Sequence, residues 1–210
     1  MGRKNEIKNK ELIENKPYLT KKELALLLEK KGKNLDKKIS ILLRDKYLIP
    51  LKRGLYVTYN FYLKNRQNFE EYIANILYYP SYLSGEYVLA KEGIIPEGVY
   101  AYTSVSLKAT RNFKNQFGNF YYKKIKENLF CGFYQKNYFE NYQIKIASRA
   151  KALFDYFYFL PLSMVRNIND LRLNLNDFKK EDWGEFFSYV KLSQLKKMEK
   201  IYQLLKENGY

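Results

Sequence analysis

The stretch TKKELALLLEKKGKNLDKKISILLRDKYLIPLKRGLYV, residues 20–57, decides the fold of the first third of the chain. It opens on Thr20, whose hydroxyl can cap the first-turn N–H groups of a helix, and Glu23 three residues on completes a capping box. Leu24, Leu27 and Leu28 give that helix its apolar stripe. Lys31, Gly32 and Lys33 read as a turn with Gly32 as a left-handed C-cap. A third helix is predicted over residues 34–46, because Leu35, Ile39, Leu42 and Leu43 recur at i, i+4, i+7 and i+8 on one face. Lys37, Ser40, Ile41 and Arg44 occupy the opposite face, and Lys38 lies on its flank. Two apolar runs, residues 47–51 and 55–57, then enclose Lys52-Arg53-Gly54, the pattern of a hairpin with a basic tip.

Upstream, residues 5–15 read as a weakly amphipathic helix stopped by Pro17. Helix, capped helix, turn, basic helix and basic hairpin is the order of a winged helix-turn-helix, expected over residues 1–66. A helix fits the major groove, short polar side chains on its outer face read base edges, and Lys and Arg neutralise phosphates. On this reading Lys37, Ser40 and Arg44 read the groove with Lys38 flanking, while Lys21, Lys22, Lys52 and Arg53 hold phosphates. Ile41 either meets a thymine methyl or packs against a neighbouring chain. A three-helix module whose basic face is only solvated, and which docks a protein, is the alternative.

Charge supports the nucleic-acid reading. The 210 residues carry 38 Lys and Arg against 22 Asp and Glu, a net of +16. Thirty lysines, 19 asparagines and 22 tyrosines fit the drift of an AT-rich genome, but drift spreads charge evenly. Residues 1–66 hold 18 basic and 7 acidic side chains, whereas residues 67–210 hold 20 and 15. The first third is therefore basic for a further reason, and a polyanionic partner supplies one.

The domain boundary is expected within residues 60–68, where an apolar run gives way to Lys64-Asn65-Arg66-Gln67-Asn68. Beyond it, residues 69–79 read as a helix, and Ser84 as the cap of a short helix ending at Gly93. Strands are expected over residues 99–103, 110–114, 120–125, 129–134 and 142–146, followed by an apolar helix over 147–160. Two more helices, residues 180–190 and 193–207, close the chain. The fold class is α+β, with a mainly antiparallel sheet in the second domain, residues 67–210. The most apolar stretch, residues 152–165, is 14 long and holds Asp155 and Pro161, too short for a membrane span. No signal-peptide pattern follows Met1, so a cytoplasmic location without membrane contact is expected.

Three stretches resemble the AbiEi family of antitoxins and regulators of type IV toxin–antitoxin systems. One is Leu19-Thr20-Lys21-Lys22-Glu23-Leu24, leading through the third helix into Lys52-Arg53-Gly54-Leu55-Tyr56-Val57. The second is Tyr82-Leu83-Ser84-Gly85-Glu86-Tyr87-Val88-Leu89-Ala90-Lys91-Glu92-Gly93. The third is Ile146-Ala147-Ser148-Arg149-Ala150-Lys151-Ala152-Leu153-Phe154-Asp155, in which Ala150 stands where the family has Glu. The resemblance implies a first domain that binds double-stranded operator DNA and represses its own operon. It implies a second, antitoxin-type domain that counters a nucleotidyltransferase-like toxin without needing a stable complex, in a phage-defence system. A dimer on DNA is compatible with it.

Catalytic readings are weak. Histidine is absent, which excludes Ser-His-Asp triads, Cys-His dyads and His-containing zinc sites. No two glycines stand one residue apart, and no Walker pattern occurs. Cys131, the one cysteine, reads as a small hydrophobe in an apolar strand, and a single cysteine fits a reducing compartment. Gln143-x-Lys145, with Glu127 and Glu140 as loosely placed carboxylates, faintly resembles a metal-dependent nuclease core. The aromatics Tyr121, Tyr122, Tyr156, Phe157, Tyr158 and Phe159 read as core or interface, with base stacking as the alternative. The expectation is a non-enzyme without cofactor or metal.

Overall fold

The structure, a computed structural model, describes residues 9–14, 16–96, 98–139, 142–165 and 168–210. Two compact units divide the chain, the first ending at Phe69 and the second running Glu70–Tyr210. In the first, α1 (Lys10–Glu14), α2 (Lys21–Leu28), α3 (Gly32–Arg44) and α4 (Tyr59–Lys64) accompany a three-stranded antiparallel sheet. Its strands β1 (Tyr18–Thr20), β2 (Leu48–Lys52) and β3 (Leu55–Thr58) lie in the order β1-β3-β2. Ile13, Leu19, Leu24, Leu28, Leu35, Ile39, Leu42 and Leu48 form one buried cluster, with Leu27 and Leu43 packed against it. Each such side chain contributes about 1.5–3 kcal/mol by leaving water.

The capping box forms as read. Glu23 N–H donates to Thr20 Oγ1 (3.2 Å), and Thr20 N–H donates to Glu23 Oε2 (2.8 Å). Other local expectations are corrected. Gly32 is left-handed as read (φ 53), but the C-cap of α2 is Glu29 (φ 52), and Gly32 instead opens α3 two residues earlier than predicted. Leu28 is the last residue of α2 that buries, so the chain turns directly after it. Residues 18–20, to which the sequence reading assigns no strand, form β1, and α4 (Tyr59–Lys64) runs into the stretch 60–68 expected as the domain boundary. Leu19 is fully buried and Phe61 nearly so, and those two anchors override the polar residues around them. Phe69 lies with its ring centroid 6.2 Å from Phe61 and 5.1 Å from Tyr62, within the first unit. The helix expected over residues 5–15 falls partly outside the described residues.

The second unit is built on a six-stranded sheet in the order β6-β7-β5-β4-β9-β8. The strands are β4 (Ser81–Leu83), β5 (Ala101–Ser106), β6 (Arg111–Asn115), β7 (Gly118–Lys124), β8 (Phe133–Phe139) and β9 (Tyr142–Ala147). The sheet is mixed: β5 runs parallel to β7 and β4 parallel to β9, while the other three pairings are antiparallel. After β5 the chain passes to the edge as β6 and returns as β7 between them, which fixes the parallel pairing. Helix α5 (Phe69–Leu77) lies on one face, where Tyr122 Oη donates to the Ala74 carbonyl at 2.7 Å. Helix α6 (Glu86–Lys91) meets the other face, its Tyr87 N–H donating to Thr103 Oγ1 at 3.0 Å. Helix α7 (Arg149–Phe159) packs on α6 and on α8 (Lys180–Ser193), and α9 (Lys196–Glu207) on α8. Among the described residues, no helix is long and apolar enough to cross a membrane.

Two more expectations fail here. Ser84 does not cap α6, whose N-cap is Gly85 (φ 62), because its hydroxyl is drawn to Asp155. The strand expected over 129–134 begins only at Phe133, so Cys131 lies ahead of β8 and is half-buried.

Candidate nucleic-acid interface

One side of α3 is apolar and buried, through Leu35, Ile39 and Leu42. A helix turning 100° per residue then points Lys33, Lys37, Ser40 and Arg44 the opposite way, and all four are exposed. Ile41 shares that face and is half-buried, and Lys38 is half-buried on the flank. Lys33 was not among the expected residues. Its place one turn before Lys37 was the available signal, hidden by the assumption that residues 31–33 form a turn.

Two of these side chains have local partners. Ser40 Oγ donates to the Asp36 carbonyl one turn back (3.0 Å), which leaves its lone pairs outward. Arg44 Nε donates to Asp45 Oδ1 at 2.9 Å, and that carboxylate raises the guanidinium's already high pKa. Arg44 remains 75% exposed, so the pair is easily exchanged for another anion.

The hairpin tip belongs with the first turn of α2. Gly54 adopts φ +76 between β2 and β3, and its carbonyl accepts the Lys21 N–H at 2.9 Å. Lys21 also reaches α3, pairing with Asp36 Oδ1 at 2.5 Å. The structure thus brings Lys21, Lys52 and Arg53 to one edge, with Lys22 the next residue along α2. Lys22 and Arg53 are exposed, while Lys52 is half-buried at the end of β2. Pro50 is tolerated because β2 is an edge strand.

The second unit holds a buried ionic network that composition did not foretell. Lys151 and Asp155, both 0% exposed, stand one turn apart on α7 and pair at 2.8 Å. Lys151 Nζ also donates to the Leu129 carbonyl (2.9 Å) and lies 4.6 Å from the Phe154 ring centroid. Asp155 Oδ2 accepts Ser84 Oγ (2.7 Å) and Tyr82 Oη (3.0 Å). Burial pushes the Asp155 carboxyl up, and Lys151, Ser84 and Tyr82 oppose that shift. Gly132 (φ +73) runs so close that an added Cβ would collide with Tyr189 and Lys151. Every polar atom of the ion pair has a partner and none is exposed, which is the arrangement of a structural lock.

The nuclease reading finds no assembled centre among the described residues. Gln143 Nε2 donates to Asn137 Oδ1 at 3.0 Å, and Lys145 Nζ sits 5.4 Å from the Phe133 ring centroid. Glu127 lies in a 3-10 turn, Glu140 lies outside the described residues, and no group of three metal-ligating side chains gathers among those described. Burial pushes the Cys131 thiol up; Lys151 opposes this, while Asp155 and Glu185 add to it, against the lowered pKa that a nucleophile needs.

Compared with known proteins, the chain matches no family model and no curated protein.

Proposed function

We propose that the chain is a double-stranded DNA-binding repressor of the AbiEi antitoxin kind, without catalytic activity, whose first unit acts as a winged helix-turn-helix. The observation that carries this reading is the exposed face of α3, with Lys33, Lys37, Ser40 and Arg44 set opposite the buried leucines. A face of this kind offers donors to guanine and adenine edges when the helix lies in the major groove. Lys21, Lys22, Lys52 and Arg53 then meet phosphates from α2 and the hairpin tip. That the operator belongs to the chain's own operon, and that the second unit counters a nucleotidyltransferase-like toxin, rests on the resemblance of the quoted stretches. A gel shift of the full chain on its own upstream DNA tests the reading. Retarded bands that a scrambled duplex does not displace, and that weaken steeply with salt, are the expected result. Equal displacement by both duplexes would overturn it. Leu26, 77% exposed on α2, favours a second reading in which the first unit docks a protein. That reading gains ground if no duplex is retarded.

A further inference from the structure

We infer that the β6–β7 hairpin of the second unit is a separate nucleic-acid surface, one that takes a single strand, with phosphates on its basic side chains and a base on Tyr121. Between Ser106, which ends β5, and Glu127, which opens the next 3-10 turn, lie Lys108, Arg111, Lys114, Lys123, Lys124 and Lys126 without one Asp or Glu. Residues 70–210 as a whole hold 20 basic and 15 acidic side chains, so the rest of the unit is slightly acidic. Lysine enrichment by composition alone does not concentrate the whole excess in one hairpin.

The geometry gives the charge a form. β6 is an edge strand, so the hairpin stands at the border of the sheet. Asn112 pairs with Tyr121 and Lys114 with Asn119, which places these four side chains on one face. Tyr121 is 40% exposed among them, an aromatic ring flanked by amides and an ammonium. Arg111 and Lys124 point to the other face, both exposed. Arg111 lies 5.8 Å from the Phe113 ring centroid and Lys108 Nζ 5.5 Å from that of Tyr78, contacts that limit the freedom these cations lose on binding. Lys123 is the exception, held by Glu86 at 2.9 Å.

A single strand fits better than a duplex because only unpaired bases present a face to Tyr121. Lys114 shares the face of the stacking ring, and Arg111 and Lys124 continue the charge on the other face of the hairpin. A basic track and a stacking ring are the two parts of a sequence-tolerant single-strand site. Lysines along an edge strand also guard against strand addition by another chain, and the test separates the two roles.

The full chain is titrated into labelled oligo-uridine RNA and oligo-thymidine DNA of about a dozen nucleotides, and into the upstream duplex, with binding read by anisotropy. The combined variant Lys108→Gln, Arg111→Gln, Lys114→Gln, Lys124→Gln should lose about tenfold or more for both single strands, flattening the log–log salt dependence by about 0.7 per lost contact. The duplex affinity should stay. Tyr121→Leu, which keeps the charge, should lose about fivefold or more for single strands alone. A larger loss in one arm identifies the preferred sugar. The inference is overturned if both variants bind single strands as the parent does. Loss of single-strand binding on Lys37→Ala, Arg44→Ala instead overturns it too, as does aggregation of the combined variant while Tyr121→Leu binds unchanged.

Discussion

The Lys21 backbone N–H donates to the Gly54 carbonyl across 2.9 Å, which ties the hairpin tip to the first turn of α2. A left-handed Gly54 orients that carbonyl, and the Lys21 side chain reaches on to Asp36 in α3. Helix α2, helix α3 and the hairpin are therefore fixed to one another at the point where Lys21, Lys52 and Arg53 gather.

Gly54→Ala places a Cβ within ordinary contact of Lys21 Cβ, but at a φ that L-residues avoid. It should cost about 1–2 kcal/mol and weaken DNA binding with it. Gly184→Ala is the opposite case, since nothing crowds its position inside α8 and the helix favours alanine. It should stabilise by about 0.5–1 kcal/mol. Chemical denaturation reads both, and the same sign for the two would contradict the geometry.

Burial pushes the Glu23 carboxyl up, but the Thr20 N–H, the Lys16 ammonium and the Thr20 hydroxyl outweigh it and hold it below its ordinary value. The unfolded chain then takes up this proton at a higher pH than the folded one. Its contribution to stability is thus present above the ordinary carboxylate range and is lost as pH falls through the folded value. Glu23→Gln should lower the melting temperature at neutral pH and lower it less at about pH 3. An equal deficit at both pH values would show that the cap does not depend on the charge.

Lys151→Met leaves Asp155 buried without its counter-charge and removes the main influence that opposes the upward push of burial on its carboxyl. The loss should be about 3–5 kcal/mol. Adding Asp155→Leu should recover part of it, because the unpaired carboxyl goes too. The chain's one tryptophan, Trp183 on α8, reports unfolding of this unit by fluorescence. A double variant as unstable as the sum of the two singles would mean that the pair does not act as a unit.

Lys52→Ala with Arg53→Ala removes charge from the hairpin tip and no base reader. Affinity for every duplex should fall alike, and the log–log salt slope should flatten by about 0.9 per lost phosphate contact. A variant that lost affinity for one sequence alone would put the tip in a groove instead.

Much of this organisation was legible in the chain, and the failures have local causes. Thr20 and Glu23 sit at the spacing that closes a capping box, and the leucines of α3 repeat over more than two turns. Long periodic signals of that kind survive folding. Strand β4 has only three residues, all buried, and follows Pro80, too short a run to show alternation. The mixed sheet follows from where β4 and β7 insert, which no local pattern carries. Ser84 has every mark of a helix cap, yet Asp155, 71 residues on, takes its hydroxyl. Tyr121 sits beside Tyr122 in the sequence, and only the register with Asn112 and Arg111 separates the exposed ring from the buried one.

The central claim is that the outer face of α3 reads base pairs, and Arg44→Ala tests it most directly. The measurement is the ratio of affinities for the chain's own upstream duplex and a scrambled one, at fixed salt, for parent and variant. Loss of a base contact should lower that ratio by about 1–3 kcal/mol and relax preference at one position. Arg44 is 75% exposed, so the substitution leaves the fold intact. An unchanged ratio would contradict the claim, leaving the basic face of α3 as solvated surface and the protein-docking reading in the lead.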